Sequence, residues 1–176
     1  MAETKPIAPR AIIAMGVSGC GKSSVGALLA ERLGLAFVEG DSLHPAGNVA
    51  KMAQGIALTD EDRWPWLETI GRLMAEALNR GEGIVVSCSA LKRIYRDRLR
   101  QATSDRLAFV FLDGTPELLL SRMGARTGHF MPVTLLESQL RTLEVPTGEQ
   151  GVITVNIDGS VDAIVDCALK GLTVIG

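Results

Sequence analysis

Gly16-Val17-Ser18-Gly19-Cys20-Gly21-Lys22-Ser23 is the stretch on which the reading of this chain turns. It matches G-x-x-x-x-G-K-[ST] at every fixed position. Upstream, Ala11-Ile12-Ile13-Ala14-Met15 is a short apolar run suited to a buried strand, and downstream Val25, Leu28, Leu29 and Leu33 recur at helical spacing. Strand, glycine loop and helix thus follow in the order a phosphate-binding loop requires. The glycines let the backbone curl until successive N–H groups and the positive end of the helix face phosphate oxygens. Every residue from Gly16 through Val17, Ser18, Gly19, Cys20 and Gly21 belongs to that candidate cradle, with Lys22 adding charge and Ser23 a hydroxyl for Mg²⁺. A glycine turn matching by chance would explain neither the Lys-Ser pair nor the flanking elements.

The surrounding chain is 176 residues long, 47% apolar and carries a formal charge of -2. That size predicts one domain spanning 1–176, and that balance argues against disorder and against a global field for nucleic acid. An anionic ligand must be held by local charge. Cys20, Cys88 and Cys167 lie apart without C-x-x-C spacing, which favours a reducing, cytoplasmic setting over a disulfide or zinc framework. Residues 1–10 read as a flexible N-terminus, and the apolar run after them is too short for a signal segment or a membrane span.

Beyond the first helix, Gly34 suits a helix stop and Leu35 to Val38 a second strand, ending in Glu39-Gly40-Asp41. If the extended conformation persists through Gly40, both carboxylates leave on one side of the strand's C-terminal end, where open parallel sheets bind ligands. A helix over 46–54 puts Asn48 and Lys51 on one face, and His44 reads as a hydrogen-bonding residue because no second metal ligand is near. Thr59 to Asp62 starts the next helix, with Pro65 near its first turn and Leu67, Ile70, Met74 and Leu78 on its buried face. Asp60 and Glu61 stand between a capping role and substrate contact.

Gly83 to Ser87 is the third strand. The cationic helix after it carries Lys92, Arg93, Arg96, Arg98 and Arg100, but Asp97 interrupts the series and Tyr95 alone offers stacking. Anion capture by Lys92 or Arg96 fits better than a nucleic-acid stripe. Ala108 to Leu112 is the fourth strand, followed by Thr115 as N-cap and Pro116 at the first helical position. Arg122 and Arg126 then share a helix face before Gly128, so 122–132 reads either as a lid that closes over phosphate or as arginines complementing a helix dipole. Leu136, Leu140 and Leu143 mark another helix, Val152 to Ile157 the last strand, and Val161, Ile164, Val165, Ala168 and Leu169 the final helix. Strands alternating with helices predict an α/β domain with a mostly parallel sheet, whose strand order periodicity does not set.

These stretches together resemble the gluconate kinases (gluconokinases) among the phosphate-loop small-molecule kinases. The resemblance rests on the glycine loop with Met15, on Gly40-Asp41-Ser42-Leu43-His44-Pro45 with Asn48, Lys51, Met52 and Gly55, and on Leu58 to Arg63 with Pro65-Trp66-Leu67. It extends through Cys88 to Lys92 with Tyr95-Arg96-Asp97, and Arg122 through Arg126 to Gly128-His129-Phe130, so it covers nearly the whole chain. It implies a three-layer P-loop fold like that of nucleoside monophosphate kinases, a five-stranded parallel sheet ordered 2-3-1-4-5, a mobile lid and a homodimer. It implies transfer from ATP to D-gluconate, giving 6-phosphogluconate and ADP, without nucleic-acid or membrane partners. The expected catalytic residues are Lys22, Asp41, Arg122 and Arg126, with Asp41 as base or orienting group. Substrate contacts are expected from His44, Asn48, Lys51, Lys92, Arg96 and His129. Mg²⁺ is expected directly on Ser23 and through water on Glu39, which stands where relatives commonly carry Asp. The chain lacks Asp-Gly-x-Pro-Arg, expected of a nucleoside monophosphate kinase, and the glycine-rich turn of a shikimate kinase, after its third strand. Another sugar-acid or polyol kinase, and an ATP-binding regulatory module without turnover, are the alternatives.

Overall fold

The computed structural model describes residues 10–125 and 133–175. The five strands are β1 (Ala11–Met15), β2 (Ala36–Glu39), β3 (Ile84–Ser87), β4 (Leu107–Asp113) and β5 (Val152–Asn156). They pair in parallel throughout, in the order β2-β3-β1-β4-β5. Seven α-helices accompany them among the described residues: α1 (Lys22–Leu33), α2 (Ala46–Ala53), α3 (Asp60–Asn79), α4 (Arg93–Ala102), α5 (Pro116–Ala125), α6 (Val133–Thr142) and α7 (Val161–Ile175). This is the expected α/β frame, with the strand order that the family resemblance implied.

The central strands carry unbroken apolar runs because helices cover both faces of the sheet. Every residue of β1 is buried, as are Val85, Val86 and Leu107 to Leu112 in its neighbours. Trp66, Leu67, Ile70 and Met74 bury one face of α3, and Leu29 and Val25 bury that of α1. No helix among the described residues is long and apolar enough to cross a membrane.

Two local expectations change. The backbone does not stay extended through Gly40: Gly40–Leu43 forms a 3₁₀ turn, so Glu39 and Asp41 do not share a strand face. The cause is a close crossing, because a Cβ on Gly40 would sit 1.9 Å from the Ser87 carbonyl oxygen. Gly40 donates its N–H to Ser87 Oγ (3.1 Å), and its carbonyl accepts from Trp66 Nε1 (2.8 Å). Pro65 lies inside α3, past the first turn, while the helix start is fixed by a reciprocal pair: Asp62 N donates to Thr59 Oγ1 (3.1 Å) and Thr59 N to Asp62 Oδ2 (2.9 Å). The helix stop at Gly34 is as expected, in the left-handed region at φ 69°.

The loops after β1, β2 and β3 all leave at the C-terminal edge of the sheet. Strand register sets Glu39 and Ala14 beside Ser87 on that edge. Residues 1–9 of the expected flexible N-terminus and all but the first residues of the expected lid lie outside the described residues.

Candidate active site

The floor of the cleft is the glycine loop between β1 and α1. Gly19 and Gly21 turn it through φ 84° and 88°, and a Cβ on Gly19 would meet the Leu119 carbonyl oxygen of α5 at 2.9 Å. Lys22, the first residue of α1, arches back to donate from Nζ to the Val17 carbonyl (3.3 Å). Its ammonium group thereby lies along the loop, where it can balance phosphate charge. Ser18 is buried and donates both its N–H (2.8 Å) and its hydroxyl (3.1 Å) to Oε1 of Gln139 on α6. A neutral amide oxygen thus sits on one donor of the cradle.

Facing the loop across the same cavity are Asp41 and His44 from the 3₁₀ turn and its exit, Arg63 and Trp66 from α3, and Ser89 from the loop after β3. Leu135, Ser138 and Gln139 of α6 close the cavity from the other side. His44 stacks on Trp66 with ring centroids 4.0 Å apart and planes 17° apart. Burial pushes its imidazole down to about 4, against the pull of Asp41 and helped by the charge of Arg63. His44 is therefore a neutral ring at physiological pH.

In the sequence Arg63 is only the last residue of the Leu58 to Arg63 motif, and it proves to be the buried cation of the cavity, 8% exposed. Its Nη1 donates to the Tyr95 hydroxyl (2.8 Å), which in turn donates to Asp60. Tyr95 is pushed up to about 12 by burial and by that carboxylate, so the relay is fixed in its protonated form. Lys92 pairs with the same carboxylate (3.0 Å) and Lys51 with Asp62 (2.7 Å). The hydrogen bonds from Tyr95 and Lys92 lower the Asp60 pKa, while Lys51 and the Thr59 N–H hold Asp62 at about 2. The two lysines expected at the substrate are thus engaged by the acids that begin α3.

Arg96 is corrected outright as a substrate contact, because its side chain is fully buried. Nε and Nη2 hold both oxygens of Glu149 (2.9 and 2.6 Å), Nη1 holds the carbonyls of Ala90 and Leu91, and Nη2 also holds that of Glu144. Although burial raises the Glu149 pKa, Arg96 and Arg100 bring it below the ordinary value. Ala90 sits at φ 46°, and Arg96 is what clamps that strained loop, which carries Ser89 into the cavity.

Asn48, expected at the substrate, is buried and spans from the Asp62 carbonyl (2.9 Å) to His44 Nδ1 (3.2 Å). Glu39 Oε1 accepts from Ser87 Oγ (2.6 Å) at the sheet edge. Arg122 reaches the carbonyls of Ile157 and Gly159 in the loop after β5. Arg126 and His129 lie outside the described residues.

The sequence profile described as Shikimate kinase matches residues 18–146. The gluconokinase of Gluconobacter oxydans is 47% identical over 158 residues, covering 90% of this chain and 88% of that protein. The chain belongs to the gluconokinase family. The thermosensitive gluconokinase of Escherichia coli is 46% identical over 86% of this chain and 81% of its own length. The crystal structure of a gluconokinase from Sinorhizobium meliloti superposes with a TM-score of 0.88 at 53% identity, covering 96% of this chain and 94% of that one. In this gluconokinase-family chain, Cys88-Ser89-Ala90-Leu91-Lys92 follows β3, where a shikimate kinase is expected to carry a glycine-rich turn.

Gln139 has one legible signal. Position 139 falls three residues after Leu136, on the face that buries α6, where a polar side chain requires a partner.

Proposed function

We infer that this protein is a gluconokinase, transferring the terminal phosphoryl group of ATP to a hydroxyl of D-gluconate to give 6-phospho-D-gluconate and ADP. The observation that carries the reading is one cavity that sets the buried guanidinium of Arg63, the Asp41 carboxylate and neutral His44 opposite Lys22 and the glycine loop. An acceptor with a carboxylate at one end and a hydroxyl at the other matches that order of charges. Phosphoryl transfer asks mainly for alignment and neutralisation. In this reading Lys22 and the loop amides hold the phosphates, Arg63 anchors the acceptor carboxylate, and Asp41 orients the attacking hydroxyl and receives its proton. Gln139 Oε1 yields Ser18 to phosphate when nucleotide enters.

Ser23 directly follows Lys22 in α1, and the Glu39 carboxylate is fixed at the sheet edge by Ser87; hard oxygen donors of this kind suit Mg²⁺, which keeps several waters. Ser23 would hold the ion directly and Glu39 through water, and the ion would supply charge neutralisation at the phosphates. Arg122 and Arg126 belong to the proposal as charges brought to phosphate when 122–132 closes. A homodimer and a cytoplasmic setting are part of it too, the first supported by the family resemblance and the second by the scatter of Cys20, Cys88 and Cys167.

The test is ADP release coupled to a readout over sugar acids, neutral sugars, polyols and nucleoside monophosphates. Gluconate should lead, with the acid group required. Equal turnover of glucose or an uncharged polyol would reassign the acceptor, and ATP binding without turnover of any acceptor would make the chain a binding module.

A further inference from the structure

Asn48 and His44 carry information that the acceptor assignment alone does not use. The terminal atom of Asn48 that lies 2.9 Å from the Asp62 carbonyl must be its nitrogen, because a carbonyl oxygen only accepts. The same nitrogen stands 3.2 Å from His44 Nδ1, so its second hydrogen points at that ring atom. Nδ1 must then present a lone pair, and the single proton of the neutral ring sits on Nε2. Nε2 lies 3.9 Å from Asp41 Oδ1 at the cavity, too far for a direct hydrogen bond and close enough for one oxygen atom to bridge both.

We propose that Asn48 is a positioning residue that locks His44 as the Nε2–H tautomer, so that His44 and Asp41 form a donor–acceptor pair reading one hydroxyl of the sugar acid. A hydroxyl satisfies both partners at once: it donates to the carboxylate and accepts from Nε2–H. A carbonyl oxygen at that place would set its lone pairs against Asp41, and an ammonium group would meet an N–H with no lone pair to offer. The 3% exposure of the His44 side chain and its stack on Trp66 leave the ring no other orientation to adopt at low cost. The charged groups facing the ring are Asp41 on the 3₁₀ turn and Arg63 on α3, while α2 contributes neutral Asn48. The hydroxyl-reading half of this inference rests on the gluconokinase assignment; the tautomer does not.

The deciding measurement is the imidazole ¹⁵N spectrum of the ligand-free, ¹⁵N-labelled protein, recorded across pH. The chain has two histidines, so the His44 signals are those lost in His44→Gln. The Nε2–H pattern is expected, with no titration near the ordinary value of about 6.5. An Nδ1–H pattern, or a ring titrating near about 6.5, overturns the proposal. Asn48→Asp places an acceptor at Nδ1 and should move the proton there, or charge the ring, giving kcat/KM a new pH dependence near about 6.5. A folded Asn48→Asp protein whose ring keeps the wild-type pattern overturns the positioning role; if that variant fails to fold, the wild-type spectrum decides. His44→Gln, whose amide nitrogen reaches the place of Nε2, should keep a KM for gluconate about tenfold below that of His44→Asn, whose shorter amide does not reach it. Equal KM values in the two variants remove the hydroxyl-reading half. Absence of gluconate turnover with the expected tautomer overturns the acceptor assignment alone.

Discussion

The two sides of the cleft are built on different principles. The phosphate side is a backbone object: three positive-φ glycines, a helix N-terminus and a lysine bonded to a carbonyl five residues away. The acceptor side is assembled from side chains that meet across long stretches of chain, as when Trp66 holds the Gly40 carbonyl, Asn48 holds that of Asp62, and Arg63 reaches Tyr95. Phosphate is the same in every nucleotide, so amides and one charge suffice to hold it. An acceptor must be told from near neighbours, and that needs donors and acceptors fixed in place before it arrives. Damage on the first side should therefore appear in kcat, and damage on the second in KM, specificity and pH dependence, save at Asp41, whose proposed part in proton transfer ties it to kcat as well.

The hardest blow to the phosphate side is Lys22→Ala, expected to lower kcat roughly 10²-fold or more without changing circular dichroism, since it removes charge opposite the growing phosphate charge. Wild-type turnover in that variant would break the cradle assignment. Asp41→Asn comes next: roughly 10²-fold in kcat is expected with gluconate still bound, because the carboxylate proposed to orient the hydroxyl and receive its proton is gone. Glu39→Gln should instead be partly rescued by raised Mg²⁺. Were the two phenotypes exchanged in steady-state kinetics, the roles of Asp41 and Glu39 would be exchanged too.

Arg63→Met sharpens the comparison from the acceptor side. A charged hydrogen bond of about 1.5–3 kcal/mol is at stake, so KM for gluconate should rise about 10- to 100-fold with a lesser change in kcat. Lys51→Ala and Lys92→Ala remove partly exposed ion pairs to Asp62 and Asp60 and should each change KM by less than about fivefold. A larger effect from either lysine than from Arg63 would return the carboxylate anchor to it.

The smallest expected effect is on stability. The folded ring of His44 refuses a proton that the unfolded chain accepts between 6.5 and about 4, so stability should fall as pH drops through that window. Asp62, held at about 2 against an ordinary 3.8, prolongs the fall at lower pH as its carboxylate is protonated. Urea unfolding of His44→Gln should lose the first decline and keep the second.

These contrasts also explain what the amino-acid sequence disclosed. The glycine loop, the buried strands and the stop at Gly34 are local devices, so spacing and residue type suffice to place them. Arg96, Lys51 and Lys92 offered the right charge for a carboxylate, but their partners Glu149, Asp62 and Asp60 are 53, 11 and 32 residues away, and no local pattern announces who takes whom. Arg63 carries no local signal for the same reason, since three acidic neighbours make it look like part of a solvated helix start. Glu39 and Asp41 were placed by strand alternation, and the crossing at Gly40 ended that alternation one residue too early.

The ring stacked under His44 has an optical consequence. Trp64 lies with the Arg98 guanidinium carbon 4.8 Å from its ring centroid, whereas Trp66 is 1% exposed and lies against the imidazole of the acceptor pair. A Trp64→Phe protein would thus hold one indole, seated beside a group whose protonation and hydrogen bonding govern how efficiently it quenches emission. Such a protein would report on the occupancy of its own acceptor site by fluorescence, with no dye, no coupling enzyme and no nucleotide present.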